Sequence, residues 1–244
     1  MHRARKLLLT CFLSAALPAA ADCNGKIYLT IDTGTMSQAA NIARVLEEQN
    51  VRATFFLANE KTVDNNYTLD PAWDHYWKTL ALEGHAFGNH TWSHWTARRD
   101  DGDTVVASDP SGQVHKLDQA TFCEQLKQVN DAFHRATGRD LLPIWRAPGG
   151  HTTPNTIRFA ASCGYPIHVH WSDAGFLGDE LPSDKYPNRV LLERALKHIK
   201  PGDILMMHLG IRSRKDPFAP MLEPLIEGLK ARGYCFATLT PGEY

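Results

Sequence analysis

The chain is organised by one repeating pattern: short apolar or β-branched runs alternate with longer amphipathic stretches. The runs are Ile27–Ile31, Ala53–Leu57, His85–Gly88, Leu142–Trp145, Pro166–Trp171, Ile204–Met207 and Cys235–Leu239. Each has the length of a buried strand and is short for a buried helix. Between them, Ser37–Gln49, Ala72–Leu82, Asp118–Ala136, Pro154–Ser162, Asn188–Ile199 and Pro220–Ala231 carry helical patterns, and in the first Ile42, Val45 and Leu46 share one face. Thr153 before Pro154 reads as an N-cap followed by the first helical residue. Gly84, Gly164 and Gly233 each end a helix just before the next strand. Parallel strands need a crossover of a dozen or more residues, so this alternation implies a parallel sheet. Seven strands with six helices predict an α/β fold, a distorted (β/α)7 barrel one strand short of eight, in a single domain. An open doubly wound sheet is the alternative, but no G-x-G-x-x-G follows the first run, so no dinucleotide site is expected. Thr96–Lys116, rich in Asp and Gly, falls outside the pattern and reads as a long irregular insertion between the third and fourth strands.

Residues 1–21 have the make-up of a cleaved signal peptide. Arg3, Arg5 and Lys6 precede an apolar stretch, Leu7–Leu17, and Pro18-Ala19-Ala20-Ala21 offers small residues to a peptidase. The apolar stretch is about half the ~20 residues a membrane-spanning helix needs. The protein is therefore expected to be exported, periplasmic or secreted, with no integral membrane segment once residues 1–21 are removed. Cleavage takes the formal charge from -1 to -4. With 26 Lys+Arg against 27 Asp+Glu there is no basic excess to neutralise phosphates, which argues against nucleic acid as a partner. Cys11 leaves with the signal. Cys23, Cys123, Cys163 and Cys235 remain, an even number for an oxidising compartment, with three pairings open. Residues 22–244 are expected to form one domain and a monomer.

The chemistry gathers where strands end. Asp32-Thr33-Gly34 follows the first run, His90 and His94 the third, Arg146-Ala147-Pro148-Gly149-Gly150 the fourth, Asp173 the fifth and His208 the sixth. In a barrel of parallel strands these positions share the C-terminal face, where such enzymes keep their active sites. His90 and His94 are one helical turn apart, so one face could offer both imidazoles to a divalent metal such as zinc. A carboxylate, two imidazoles, a guanidinium and a separate histidine are the parts of a metal-assisted hydrolase.

The segments Leu29-Thr-Ile-Asp-Thr-Gly34, Gly88-Asn-His-Thr-Trp-Ser-His94, Arg146-Ala-Pro-Gly-Gly150 and Leu205-Met-Met-His208 resemble, in order and spacing, those of the polysaccharide deacetylases. These are the NodB-homology proteins of carbohydrate esterase family four, and the resemblance covers essentially all of residues 22–244. It implies hydrolysis of an N-acetyl group on a glycan such as peptidoglycan, a chitin-type oligomer or an exopolysaccharide. By that resemblance Asp32 is the general base, and His90 and His94 are ligands of a divalent metal, most simply zinc. Arg146 orients the base, Asp173 pairs with Arg146, and His208 is the general acid. Met206 lines the acetyl pocket. Trp92, Trp95 and Gly149 face the substrate, and a backbone N–H at Thr33 or Gly34 meets the oxyanion.

One position departs from the family. Its first motif has two consecutive acidic residues, the second completing an Asp-His-His metal triad, and here that residue is Thr33. A neutral hydroxyl is a far poorer ligand than a carboxylate. Three readings follow: metal held by the two histidines with Thr33 or water; a carboxylate supplied from elsewhere, Asp173 or Asp100, Asp101 or Asp103; or a degenerate site kept for glycan binding.

Overall fold

The computed structural model describes residues 23–242; the expected signal segment lies outside the described residues. In chain order the elements are β1 (Lys26–Asp32), α1 (Ala39–Glu48), β2 (Thr54–Leu57), α2 (Asp74–Leu82), β3 (Ala86–Asn89), β4 (Thr96–Asp101), β5 (Thr104–Ser108), β6 (Val114–Leu117), α3 (Gln119–Thr137), β7 (Ile144–Trp145), α4 (Pro154–Ser162), β8 (Ile167–His168), α5 (Asn188–His198), β9 (Ile204–His208), α6 (Leu222–Ala231) and β10 (Cys235–Ala237). All seven apolar runs form strands of one parallel sheet, and all six amphipathic stretches form helices. Side-chain caps start α3, where Asp118 accepts from the Thr121 N–H, and α4. Thr153 and Thr156 make a reciprocal capping box at the start of α4, with Pro154 in its first turn.

β1 is the hub. It pairs with β10 through Lys26–Tyr28, with β9 through Tyr28–Asp32 and with β2 through Thr30–Asp32. From β2 the sheet continues through β3 and β7 to β8. Between β8 and β9 an irregular segment replaces strand pairing. The Ser172 N–H donates to the Ile204 carbonyl at 3.0 Å, the Ile204 N–H donates to Ser172 Oγ at 3.0 Å, and Phe176 bridges to Met206. The sheet curls on itself and closes only through this segment, which is the distortion of the barrel.

Residues alternate between two cores with the period of a strand. Ile27, Leu29, Ile31, Phe55, Leu57, Trp145, Leu205 and Met207 join the large core beneath the helices. Tyr28, Phe56, Ile144 and Val169 form a smaller core inside the barrel. Gly88 faces that inner core because nothing larger fits: a Cβ there would lie 2.7 Å from Phe56 Cε1 and 2.9 Å from Ile144 Cγ1.

Two sequence expectations are revised. The Thr96–Lys116 stretch is an ordered antiparallel meander of β4, β5 and β6, not an irregular insertion. Its centre, Thr104–Ser108, is β-branched and buried, while the flanking strands are largely polar and exposed, so no hydrophobic alternation marks them. Its acids are also committed to structure. Asp100 accepts from the Asn155 N–H at the start of α4 (3.1 Å), Asp101 pairs with Lys116 (2.7 Å), and Asp103 reaches Arg158 (3.5 Å). The four cysteines pair as Cys23–Cys235 and Cys123–Cys163, with Cα atoms 5.7 and 5.4 Å apart. The first ties the start of β1 to β10, and the second ties α3 to the end of α4. Among the described residues no helix is long and apolar enough to cross a membrane.

Candidate active site

The alternation that separates the two cores also aims the site. Higher in the barrel than Tyr28, Phe56 and Ile144, the inward positions at the strand ends carry ionisable groups: Asp32 ends β1, His90 follows β3, and Arg146 follows β7. On β9 the inward series runs Ile204, Met206, His208. The β1–β9 register sets Asp32 directly beside His208, and one layer lower sets Thr30 beside Met206.

Asp32 and Arg146 are almost wholly buried, and the Arg146 Nη1 donates to Asp32 Oδ1 at 2.8 Å. Arg146 Nε donates to the Val169 carbonyl at 3.1 Å, and its guanidinium lies 4.2 Å from the centre of the Phe56 ring. Burial alone would push the Asp32 carboxyl up, but Arg146, His90 and His208 together hold it below the usual carboxylate range. Asp32 is a stable carboxylate with Oδ2 turned away from Arg146, 3.6 Å from His90 Nε2.

His90 and His94 do not share a helical face. The segment between them is a loop with left-handed backbone at Thr91 (φ 64°) and His94 (φ 52°). Tertiary anchors hold it there. The Thr91 N–H donates to Asn89 Oδ1 at 3.0 Å, the Trp92 N–H to the Gln125 carbonyl at 3.0 Å, and the Ser93 N–H to Gln125 Oε1 at 2.8 Å. The loop still brings both Nε2 atoms within 3.2 Å of each other. His90 Nδ1 faces the Arg146 carbonyl at 2.8 Å, so it carries the proton and leaves the Nε2 lone pair free. Burial, aided by His94, pushes His90 down to about 4, so its imidazole is neutral at physiological pH.

Thr33 sits at the edge of this pair but spends its hydroxyl elsewhere. It donates to Glu60 Oε2 at 2.6 Å and accepts from the Ala58 N–H at 3.1 Å. Glu60, past the end of β2, is a carboxylate that the strand-end reading missed because that reading passed over the second strand. Its Oε1 lies 3.9 Å from His94 Nδ1. Burial would raise its carboxyl, but His94, the Thr33 hydroxyl, His90 and His208 outweigh that and lower it.

His208 is held by a second missed residue. Buried Asp179 accepts from the His208 backbone N–H at 2.7 Å and from Nδ1 at 3.1 Å. Burial pulls the imidazole down, yet Asp179, Asp32 and Glu180 prevail and raise it to about 10, which makes His208 an imidazolium with Nε2 available. Asp173, expected to pair with Arg146, is exposed in a short turn after β8 and has no ion-pair partner among the described residues. Asp32 takes the Arg146 pairing instead. The irregular segment that closes the barrel carries Asp173 outward and Asp179 inward, a geometry with no periodic signature.

The remaining expected residues lie around this centre. Met206 is buried within the barrel, and Gly149 is exposed in the loop after β7. Trp92 is half-buried against the main core, and Trp95 stacks on His115 with ring centres 3.7 Å apart. The Thr33 N–H donates to the Phe56 carbonyl at 3.2 Å, which leaves Gly34 as the available backbone donor of the pair. Gly34 has φ 113°, and its missing Cβ would lie 2.4 Å from the Gly210 carbonyl. Beside the histidines an open cleft of about 580 Å³ is walled by Glu60, Tyr67, His94, Arg212 and Pro110, the last from the β5–β6 turn.

The donor set fits a divalent cation. The two imidazole Nε2 atoms, 3.2 Å apart, match the ~3.3 Å edge of a tetrahedral site with bonds of ~2.05 Å, and carboxylates flank them. Among the described residues no three such side chains are already drawn to ligating distance.

Residues 20–168 match the family model for polysaccharide deacetylase. A peptidoglycan-N-acetylglucosamine deacetylase of Bacillus cereus is 27% identical over 217 residues, covering 88% of this chain and 86% of that protein. A peptidoglycan-N-acetylmuramic acid deacetylase of Bacillus subtilis is 25% identical, over 87% of this chain and 69% of its own length. Solved structures share the fold. A family 4 carbohydrate esterase from Streptomyces lividans in complex with acetate superposes with a TM-score of 0.66 at 18% identity, covering 91% of this chain and 96% of that one. A family 4 pseudoenzyme from Bacillus anthracis superposes at 0.64 with 20% identity, over 89% and 65%. A family 4 acetyl xylan esterase from Clostridium thermocellum, in complex with a cobalt ion, gives 0.66 at 19% identity, over 87% of each. With most of its length matched by that family model and its fold shared with family 4 esterases, the chain belongs to the polysaccharide deacetylase family.

Proposed function

We propose that the protein is an exported, metal-assisted hydrolase that removes N-acetyl groups from a glycan of the peptidoglycan or chitin type. The observation that carries this is the pairing of an ionised Asp32 with a protonated His208 on neighbouring strands, beside the paired Nε2 atoms of His90 and His94. A base and an acid held in opposite protonation states at one pH are what amide hydrolysis requires. The metal assignment draws on the donor set and on the cobalt complex of the Clostridium thermocellum relative. Export draws on residues 1–21 and on the two disulfides, which persist in oxidising compartments.

In this reading Arg146 fixes Asp32 Oδ1, and Oδ2 takes the proton of the attacking water. Asp179 fixes His208 Nδ1, and Nε2 gives its proton to the departing amine. The Gly34 N–H meets the oxyanion of the tetrahedral intermediate. His90, His94 and a flanking carboxylate would hold the divalent cation, which when bound supplies Lewis acidity at the acetyl carbonyl and the water. The reading is tested by acetate release from N-acetylglucosamine oligomers and peptidoglycan. Asp32→Asn should lower turnover by ~10²–10⁴-fold while the fold persists. Full activity in that variant would overturn the mechanism.

Thr33 favours a second reading, a glycan-binding protein whose metal site has degenerated; a pseudoenzyme stands among the structures of the same fold. It requires saturable oligosaccharide binding that chelators leave unchanged, with no acetate released.

A further inference from the structure

We propose that Glu60 is the carboxylate ligand of the metal site, supplying from the end of β2 the charge that position 33 does not supply from the end of β1. The inference deepens the metal-assisted reading and rests on it. Thr33 is a poor ligand here because it is neutral and its hydroxyl is already engaged: the proton goes to Glu60 Oε2 and one of its two lone pairs to the Ala58 N–H. That makes Thr33 a positioning residue for Glu60. A carboxylate grown from position 33 would extend about one bond past the Thr33 oxygen, into the space the Glu60 carboxylate occupies 2.6 Å away. The Glu60 backbone is pinned for the task. Its N–H donates to Thr68 Oγ1 at 3.1 Å, and its carbonyl accepts from the Thr68 N–H at 3.0 Å.

One carboxylate oxygen remains uncommitted. Oε2 is held by Thr33, whereas Oε1 makes no hydrogen bond among the described residues and lies 3.9 Å from His94 Nδ1. Ligand atoms sharing one cation lie ~3.0–3.4 Å apart, so Oε1 would join the Nε2 pair by turning about the terminal bonds of Glu60, away from His94 Nδ1. Removing the carboxylate would leave two imidazoles and a hydroxyl already hydrogen-bonded as donor and acceptor, a donor set without the carboxylate charge a divalent cation favours.

Glu60→Gln separates a ligand from a residue that merely orients His94. The amide oxygen still accepts from the Thr33 hydroxyl and from an imidazole N–H, but it binds zinc or cobalt weakly. Affinity for Co(II) is measured by competition with a chelating dye, and the visible spectrum of the bound ion is recorded. The parent protein should bind one Co(II), and Glu60→Gln should bind it at least 100-fold more weakly with an altered spectrum. Losses of ~10–100-fold are typical of residues that only orient a ligand, so any loss below 100-fold overturns the assignment. The double variant Thr33→Asp/Glu60→Ala returns the carboxylate to β1 and should recover affinity to within 10-fold of the parent. A parent protein that binds no Co(II) overturns both this assignment and the metal-assisted reading. Equal binding by parent and Glu60→Gln overturns the assignment alone.

Discussion

On the β1, β7 and β9 side of the site each charge is held by an opposite one. Asp32 meets Arg146 at 2.8 Å with both side chains at most 3% exposed, and His208 is gripped by Asp179 at Nδ1 and at its backbone. At His94 and Glu60 the contacts are looser, although His90 beside them is buried and held at 2.8 Å by the Arg146 carbonyl. His94 and Glu60 leave 26% and 23% of their side-chain surface open and approach no closer than 3.9 Å. Proton-transfer groups act by being fixed beforehand, because reorganising charge during the reaction costs catalysis. A metal site can be completed by its ion, since ligands still open to water close when the cation arrives. In the proposed reading one half of this site is finished by the fold, and the other is left for its ligand to finish.

Breaking the finished half should have the largest effect. Arg146→Met strands a buried Asp32 carboxylate and should cost ~3–5 kcal/mol in urea denaturation, because the cost of burying that charge is no longer offset. Adding Asp32→Asn to Arg146→Met should recover part of that loss. Equal stability in the two variants would mean the buried pair is not coupled as its geometry implies.

Asp179→Asn should move proton chemistry more than stability. The folded protein raises His208 from about 6.5 to about 10, so the ion pair contributes fully below ~6.5 and is lost as pH rises through about 10. The stability gap between parent and variant should therefore be widest below about pH 6.5, narrow as pH rises, and close as pH passes about 10. The NMR titration of His208 should fall toward ~6.5, and the alkaline limb of acetate release should move to lower pH with it. An unmoved titration would show that Asp179 does not set the protonation of the acid.

The smallest effect is expected far from either half. Asp100 supports the first turn of α4 from the meander, so Asp100→Ala should cost ~1 kcal/mol of stability and leave Co(II) affinity unchanged. A fall in metal affinity there would return Asp100 to the list of candidate ligands.

The strands, the helices and the convergence of Asp32, His90, Arg146 and His208 were legible because period-two and period-3.6 patterning decide which face of an element is buried. What stayed hidden depends on contacts between elements distant in sequence. The meander hides its strands behind polar outer residues such as Arg98, Arg99 and Lys116. The i, i+4 spacing of His90 and His94 suits a helix, yet Asn89 and Gln125 hold that loop in left-handed backbone. Asp179 reaches His208 only because the chain leaves regular structure after β8. Glu60 was within reach, since extending the strand-end rule to β2 points to it.

The most direct measurement is acetate release from N-acetylglucosamine oligomers and peptidoglycan by chelator-stripped protein with its disulfides intact. It is assayed without metal and after addition of zinc or cobalt. Release restored by metal is the expected result, with Glu60→Gln recovering only at far higher metal concentration. No release under any condition, with oligosaccharide binding intact, would contradict the hydrolase reading and make this a glycan-binding member of its family.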